Sequence, residues 1–378
     1  MDIILKSSTG GVSAKKDALE FGRAAARVCY SKFDFDSLLG EEDKRDLIGT
    51  TLKAGHHSPY EHPHLTFYFE SIPKFGAMIL NNERPYVTSE KSARYTKMQL
   101  DGLQKELYDK WSDIFETEIK RTYDFLDEVK VKKLAQENAR YLTSVFTPTK
   151  MLHTLSFRQL NHLMHWFDDF VSSAPDNGFN NRVKSFMKEF NTLLQPFYEE
   201  RIDPVMKKRR LRIFSARKDH PEEFGENYST TYKISYAGLA QAHRHRTLNY
   251  EIVDNNTQEF FVPPIIKDKT ELSGEWLSDL EKVAYDFPQG TLIKVHEFGN
   301  YEDFLSKAAE RMCGHAQWEI MDQTRKTMEL YAEKTKDSNP ELYSLLSGYI
   351  NGPKCTFPDI NCPEPCPFGP KKGLDRLI

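Results

Sequence analysis

The same order of predicted elements occurs twice along this chain of 378 residues. In the first half, residues 64–70 alternate between core-type and outward-facing side chains, which predicts a strand. A short apolar helix, a polar loop over residues 84–95 and long helical patterns follow. The second half opens with a possible strand over residues 211–216. Residues 229–234 then form another strand-like run that precedes a short helix, a turn-rich loop and further helical patterns. Repetition on this scale indicates two related domains, each of which mixes helices with strands.

We place the boundary between the two repeats beside Asp203 and Pro204. The sequence then predicts an N-terminal domain over residues 1–204 and a C-terminal domain over residues 205–350. A tail rich in cysteine and proline occupies residues 351–378. A chain of this length can bury two sizeable hydrophobic cores.

Composition argues against several classes of partner. The net charge is −4, so no global electrostatic attraction to nucleic acid or to an anionic membrane is expected. The first residues are too polar for a signal peptide. No run reaches the roughly 18 consecutive apolar residues that a membrane span needs. The sequence therefore predicts a cytoplasmic protein with no nucleic-acid or membrane partner.

The five cysteines raise the question of a metal site. Cys355, Cys362 and Cys366 have the spacing C-x6-C-x3-C. A structural zinc site normally has a tighter pair of cysteines and a fourth ligand nearby. We therefore predict no metal and an extended, proline-rich tail, with a metal site as the alternative. Cys29 and Cys313 lie in periodic segments and are predicted to be buried, reduced thiols.

Two segments of the first half concentrate side chains that bind anions. Residues 55–62, which include His56 and Ser58, hold more polar and titratable groups than a core needs. They are compatible with a cofactor or phosphate site; the alternative is that these histidines only satisfy local backbone groups. Arg94 follows Ser92 by two residues, and an arginine beside a hydroxyl suits a phosphate group, although the pattern alone is unspecific.

The densest cationic motif of the second half is Arg244, His245 and Arg246, which directly follows an apolar, helix-like run. Such concentrated charge beside an apolar element suggests an anionic ligand such as phosphate, pyrophosphate or reduced flavin. The alternative is a solvated charged loop.

A third segment, residues 311–320, falls within a helical pattern predicted over residues 301–332. On a continuous helix, His315 and Glu319 share a face, and Arg311 lies one turn earlier. The sequence has no glycine-rich dinucleotide fingerprint, Walker loop or Gly-x-Ser-x-Gly elbow. A redox cofactor must therefore be held by something other than a Rossmann unit.

These segments resemble the motifs of one enzyme family. Residues 55–62 are similar to its segment H-x-S/T-P-x-E-H. Joined end to end, residues 244–246 and residues 90–95 spell most of the signature RHRxxSxxxxSxRY. That signature belongs to the flavin-dependent thymidylate synthases, and the resemblance covers residues 15–175 and 210–335.

The two halves have lost complementary parts of the signature. The first half has Asn-Glu-Arg at residues 82–84 in place of the Arg-His-Arg triplet, and the second has Asp-Asn-Asn-Thr at residues 254–257 in place of Ser-x-Arg-Tyr. The signature's central serine is replaced in both halves, by Val87 and by Asn249. The resemblance thus implies a tandem duplication with one active site divided between two domains. Each domain would be a small, twisted, mainly antiparallel sheet with long helices packed on it.

The resemblance also implies a reaction, the reductive methylation of dUMP at C5 to give dTMP. FAD would be the cofactor, and NADPH and methylenetetrahydrofolate the co-substrates. Family members are homotetramers, so a chain with two such domains implies a homodimer that forms a pseudo-tetramer of domains. The alternatives are C5 alkylation of another pyrimidine nucleotide and a flavin- or nucleotide-binding homologue without catalysis.

Roles are carried over from the family residue by residue. Catalysis would depend on Arg311, Arg94 and Arg244. The cofactor would be bound by His56, Ser58, Arg158, Arg244, His245, Arg246 and Asn300. The substrate would be bound by Gln241, Glu90, Ser92, Arg94, Tyr95, Arg140 and Arg311. No residue is assigned to a metal.

Overall fold

The computed structural model describes residues 1–94, 96, 98, 100–203, 211–244, 246–360, 362, 366–369 and 373–378. Within these residues, no helix combines the length and the apolar character needed to cross a membrane. The α-helices are α1 (Lys15–Val28), α2 (Phe35–Gly40), α3 (Leu47–Lys53), α4 (Lys74–Asn82), α5 (Gly102–Thr122), α6 (Glu128–Ala139), α7 (Phe157–Ser173), α8 (Gly178–Leu194), α9 (Tyr236–Ala242), α10 (Pro264–Lys267), α11 (Thr270–Lys282), α12 (Tyr301–Arg311), α13 (Trp318–Ser338) and α14 (Pro340–Ser347).

The strands of the described chain form two antiparallel, four-stranded sheets with the same strand order. The strands are β1 (Ile3–Ser8), β2 (His64–Pro73), β3 (Val87–Glu90), β4 (Pro148–Ser156), β5 (Glu223–Phe224), β6 (Asn227–Ser235), β7 (Asn249–Asp254) and β8 (Leu292–Asn300). In the first sheet β2 and β4 are central and β1 and β3 lie at the edges; in the second, β6 and β8 are central and β5 and β7 lie at the edges. The α+β prediction is confirmed, and the shared order supports a tandem duplication.

The compact units of the chain have different limits from the predicted repeats. The first unit contains Met1–Lys91 and Pro148–Arg212, and the second contains Ser92–Thr147 and Ile213–Ile378. Residues 92–147, which the sequence groups with the first half, therefore fold with the second. The boundary beside Pro204 remains a prediction about the repeat in the sequence.

The apolar face of α5 packs against the second unit, which explains why residues 92–147 fold with it. The ring of Trp111 packs edge-on against Trp276 of α11, with centroids 4.9 Å apart, and both side chains are fully buried. The indole nitrogen of Trp111 also donates to Asp279 Oδ2 over 2.9 Å. Burial of two tryptophans contributes several kcal/mol to stability. This packing explains why α5 folds with the second unit although the sequence places it in the first half.

Three local predictions are wrong. Residues 211–216 were expected to form a strand, but within them only Phe214 makes an isolated bridge, to Ile252. The expected loop over residues 84–95 contains β3, which pairs with β4. Cys29 was expected to be buried, but it follows the last residue of α1 and is exposed, beyond the apolar stripe of that helix.

A buried histidine in β4 gives a prediction about pH. His153 is 1% exposed, and burial lowers its pKa from 6.5 to about 3. Its ring stacks on Tyr86, with centroids 5.1 Å apart. The unfolded chain binds a proton at this side chain below pH 6.5 whereas the folded chain does not. Folding stability is therefore lost as the pH falls from 6.5 toward 3.

We expect His153→Phe to remove this dependence, because phenylalanine keeps the ring packing and binds no proton. As the pH falls from 6 to 4, the free energy of unfolding of the wild type should decrease by about 1.4 kcal/mol more per pH unit than that of the variant. Urea unfolding at several pH values measures the slope. The exposed His64 provides the control variant His64→Gln. Equal slopes for wild type and His153→Phe would contradict the assignment.

Candidate functional site

The predicted helix over residues 301–332 is interrupted at the site. Helix α12 ends at Arg311 and α13 begins at Trp318, so residues 312–317 form a loop, which we call the 312–317 loop. At Gly314, a Cβ atom would lie 2.6 Å from the sulfur of Cys366, so a larger residue does not fit there. His315 and Glu319 therefore do not share a helix face as expected. The break instead exposes backbone carbonyls of the loop.

Arg94 is fixed by one of those carbonyls. Its Nη2 donates to the carbonyl oxygen of His315 over 2.8 Å, and its Nε pairs with the carboxylate of Glu137. The backbone N–H of Arg94 donates to Ser92 Oγ over 3.3 Å. The side chain is 13% exposed. The Ser-x-Arg segment is thus a local turn with its guanidinium held in a largely buried position.

Arg140 lies deeper in the same unit. It is 3% exposed, and its Nη2 donates to Gln317 Oε1. Burial lowers its pKa, although the neighbouring Glu137 acts in the opposite direction. Within the described part of the chain, its Nε has no hydrogen-bond partner. A buried donor without a partner is costly, and a bound ligand with an acceptor there would remove that cost.

The buried carboxylate of Glu319 holds the residues around Arg140. It accepts from the Ser235 backbone N–H over 2.7 Å, from Ser235 Oγ over 2.6 Å and from the Tyr141 hydroxyl over 3.0 Å. The Tyr141 hydroxyl in turn accepts from Gln317 Nε2 over 2.5 Å. Burial raises the pKa of Glu319, against those hydrogen bonds. Glu319 therefore positions the residues that contact Arg140.

Arg311 is the third buried guanidinium. It is 9% exposed, and its Nη2 donates to the carbonyl oxygen of Gln241 over 2.8 Å. Burial lowers its pKa to about 10; Tyr250 opposes this shift, and the charges of Arg94 and Arg244 add to it. Its Nε also has no hydrogen-bond partner among the described residues. Arg311 therefore keeps its charge at neutral pH and has an unused donor.

We call Arg94, Arg140, Arg244 and Arg311 the arginine cluster. Arg244 lies two positions after the last residue of α9 and is exposed, whereas the other three are largely buried. The mutual effects on pKa show that positive charge accumulates here. Neighbouring guanidiniums, of which Arg140 and Arg311 each have an Nε without a partner among the described residues, suit an anion with several oxygen acceptors, such as a phosphorylated ligand.

The remaining site residues of the second unit have varied surroundings. Asn300 Oδ1 accepts from the Asp303 backbone N–H over 2.8 Å, as an N-terminal cap of α12. Arg246 is exposed. Tyr95 and His245 lie outside the described residues.

The other predicted site residues belong to the first unit. His56 and Ser58 are exposed. Arg158 pairs with Glu61 over 2.5 Å and with both carboxylate oxygens of Asp203. Burial raises the pKa of Asp203, but His162 and Arg158 together hold it well below its usual value. An anion that binds Arg158 therefore has to compete with two carboxylates.

Glu90 and the signature's missing serine complete the first unit. Glu90 accepts from Lys74 Nζ over 2.5 Å and from Asn81 Nδ2 over 3.1 Å, so its charge is matched locally. Val87 is 60% exposed in β3. In the second unit, Asn249 lies in β7 and donates through Nδ2 to the Phe298 carbonyl over 3.4 Å. Neither replacement supplies the hydroxyl of a serine.

Sequence reasoning assigned no role to the polar residues that hold the arginines. Glu137, Gln317 and Tyr141 contact Arg94, Arg140 and Glu319. The spacing of Glu137 three residues before Arg140 was a usable signal, because such residues share a helix face. The contact of Gln317 with Arg140 joins positions 177 residues apart, and no local pattern indicates it.

Comparison with known proteins supports the predicted resemblance. Residues 12–169 match the family model described as "Thymidylate synthase complementing protein". A flavin-dependent thymidylate synthase of Geobacter sulfurreducens is 26% identical over 147 residues, which are 36% of this chain and 63% of that protein. One from Thermococcus onnurineus is 27% identical over 168 residues, which are 40% of this chain and 67% of that protein.

The solved structures include ThyX of Helicobacter pylori with FAD and dUMP. It is 18% identical to this chain, with a TM-score of 0.34, and the match covers 55% of this chain and all of that chain. The chain spans just under two thirds of the length of the first curated relative that it matches. The family-model match over residues 12–169 confirms the resemblance stated from the motifs for the first half of the chain.

Proposed function

We propose that this chain, a member of the flavin-dependent thymidylate synthase family through residues 12–169, is an enzyme that methylates dUMP at C5 to give dTMP. One observation carries the proposal. Arg94, from the first half of the sequence, and Arg311, from the second, belong to one compact unit, and the charge of Arg94 acts on the pKa of Arg311. An active site divided between the two halves of the sequence requires that residues of both partial motifs lie in one unit.

The arginine cluster would bind the nucleotide in two ways. Ser92 and Arg94 would hold the phosphate, and the fork of a guanidinium suits its oxygens. Arg140 and Arg311 would contact the pyrimidine, with their unused Nε donors directed to its carbonyl oxygens. Negative charge builds on the ring as C5 reacts, and a preorganised, buried cation stabilises it. Gln241, Glu90 and Tyr95 are further substrate residues in the proposal.

In this proposal, the residues that bind FAD are His56, Ser58, Arg158, Arg244, His245, Arg246 and Asn300. The exposed guanidiniums of Arg244 and Arg246 fit the pyrophosphate of such a cofactor. When bound, FAD supplies the redox and one-carbon transfer chemistry, with NADPH and methylenetetrahydrofolate as co-substrates. The protein contributes binding, orientation and charge.

The proposed assembly is a homodimer that forms a pseudo-tetramer of domains. Two chains would then contain two composite sites, with one FAD bound per chain. Analytical ultracentrifugation and flavin quantification measure both numbers. A stoichiometry of two FAD per chain would contradict a divided site, because each domain would then bind its own cofactor.

The test of the reaction is the visible spectrum of the purified protein under anaerobic NADPH, with and without dUMP. We expect a bound flavin whose absorption bleaches faster when dUMP is present, followed by formation of dTMP when methylenetetrahydrofolate is added. A protein that cannot be reconstituted with FAD would overturn the proposal. Bound flavin without NADPH oxidation would indicate a binding protein without catalysis.

A second pyrimidine substrate is the alternative, because Val87 and Asn249 replace the signature's serine and the segment after the Arg-His-Arg triplet is altered. The same assay with UMP in place of dUMP separates the two functions. Stimulation by UMP alone would favour the alternative, whereas stimulation by dUMP alone supports thymidylate synthesis.

A further inference from the structure

The C-terminal tail brings cysteines back to the 312–317 loop. The backbone N–H of Lys354 donates to the carbonyl oxygen of Met312 over 2.6 Å. This bond joins the neighbours of Cys355 and Cys313. The thiol of Cys313 is buried, and that of Cys355 is partly exposed. Two cysteines 42 positions apart in the sequence therefore meet at one end of α12.

Cys366 also lies against the 312–317 loop. A Cβ built on Gly314 would lie 2.6 Å from Cys366 Sγ, so the sulfur rests against the loop one residue after Cys313. Cys362 precedes Cys366 by four positions. Cys362, Cys366 and Cys313 are all near enough to Cys355 to interact with it electrostatically. The structure thus supplies the fourth thiol that the spacing of the tail lacks.

Hydrogen bonds hold the backbone around Cys313. The backbone N–H of His315 donates to Cys313 Sγ over 3.4 Å. The buried guanidinium of Arg376 donates to the carbonyl oxygens of Cys313 over 3.4 Å and of Ala316 over 2.6 Å. Such contacts are the second layer that orients metal-bound cysteines.

We propose that Cys313, Cys355, Cys362 and Cys366 bind one structural zinc ion. Four thiolates are a standard tetrahedral ligand set for zinc. Among the described residues, no group of three or more His, Cys, Asp or Glu side chains has the spacing of a formed metal site. The sulfurs must therefore move together when zinc binds. Each protonated thiol that becomes a ligand releases one proton to solvent, and no redox change occurs.

Zinc at this position would lock the 312–317 loop. The loop supplies the carbonyl oxygen that binds Arg94 and the amide oxygen that binds Arg140. Zinc-mediated attachment of the tail to Cys313 would therefore fix the loop groups that position Arg94 and Arg140. The zinc site itself does not depend on the proposed reaction, because it involves none of the flavin or nucleotide residues.

The experiment is metal analysis of the full-length protein purified without chelator under reducing conditions. We expect about one zinc per chain by inductively coupled plasma mass spectrometry, present at purification or after addition of Zn²⁺ alone. Cys355→Ser and Cys362→Ser should each lose most of the zinc. The exposed Cys29 offers the matched control, Cys29→Ser, which should retain it.

Replacement of zinc by Co²⁺ gives a readout on the unmodified chain, should a variant fail to fold. Thiolate ligation of cobalt produces intense charge-transfer absorption that oxygen or nitrogen ligands do not produce. A chain that binds neither Zn²⁺ nor Co²⁺ after reconstitution would overturn the proposal. So would equal zinc loss in Cys29→Ser, or iron and sulfide in place of zinc. None of these outcomes depends on flavin binding or on methylation.

Discussion

Replacing Arg311 with glutamine is expected to lower kcat for dUMP methylation by about 10²–10³-fold, the range seen when one preorganised donor to a developing negative charge is removed. Arg311 is 9% exposed and retains its charge at neutral pH, since its pKa is about 10. The amide of glutamine keeps hydrogen-bonding capacity but carries no charge. Steady-state assays of dTMP formation measure the effect.

The same variant should change the affinity for dUMP much less than it changes kcat. Phosphate binding is assigned to Ser92 and Arg94, and Arg94 is held independently by Glu137 and by the His315 carbonyl. Isothermal titration with dUMP separates binding from catalysis. Arg121→Gln is the matched control, because this arginine of the same unit has a side chain that is 64% exposed. A variant that retains wild-type kcat would exclude Arg311 from the chemistry.

Alkaline pH offers a second test of the same residue. Because burial and neighbouring cations lower the pKa of Arg311 to about 10, its charge is lost at a lower pH than that of an ordinary arginine. The rate of a charged-arginine mechanism should therefore decline as the pH approaches 10. The Arg311→Lys variant keeps a cation but not the planar fork, so its kcat should lie between those of wild type and Arg311→Gln.

The sequence predicted elements that depend on local periodicity. The alternation in β2 places Leu65, Phe67 and Phe69 in the core at 0–1% exposure, as the pattern indicated. The motifs single out Arg94 and Arg311, and both residues belong to the second unit. These features can be read from the sequence because each depends on side chains that are close along the chain.

Features that depend on distant contacts were not predictable. The sulfur of Cys366 lies against Gly314, in the break between α12 and α13, and this contact spans 52 positions of the sequence. The transfer of residues 92–147 to the second unit follows from the packing of Trp111 on Trp276. The carboxylates on Arg158 include Asp203, whose backbone has a positive φ of 46°. Helical periodicity contains no information about any of these partners.

The second large effect is expected at a buried ion pair behind Arg311. Lys307 and Glu297 are both 0% exposed, and Lys307 Nζ donates to Glu297 Oε2 over 2.5 Å. The Tyr228 hydroxyl donates to Oε1 over 2.8 Å, and the Tyr232 hydroxyl donates to Oε2 over 2.6 Å. Lys307 precedes Arg311 by one turn of α12. Removal of one partner leaves a buried charge without its counter-ion.

Lys307→Met should therefore lower the free energy of unfolding by about 3–5 kcal/mol, measured by urea denaturation. Methionine fills a similar volume, so the loss reports on the charge and not on a cavity. Lys326→Met is the control, since Lys326 pairs with Asp322 but its side chain is 62% exposed. Exposed pairs contribute about 0–1 kcal/mol, so this variant should remain close to wild type.

The double variant Glu297→Gln with Lys307→Met separates the contribution of the two charges from that of side-chain packing. It removes both charges, and the glutamine amide can accept from one of the two tyrosine hydroxyls through its oxygen and donate to the other through its nitrogen. Its destabilisation should be smaller than that of Lys307→Met alone, because no unpaired charge remains buried. If the double variant instead loses the sum of the two single effects, the side chains act independently. The ion pair would then have no part in stabilising the core behind Arg311.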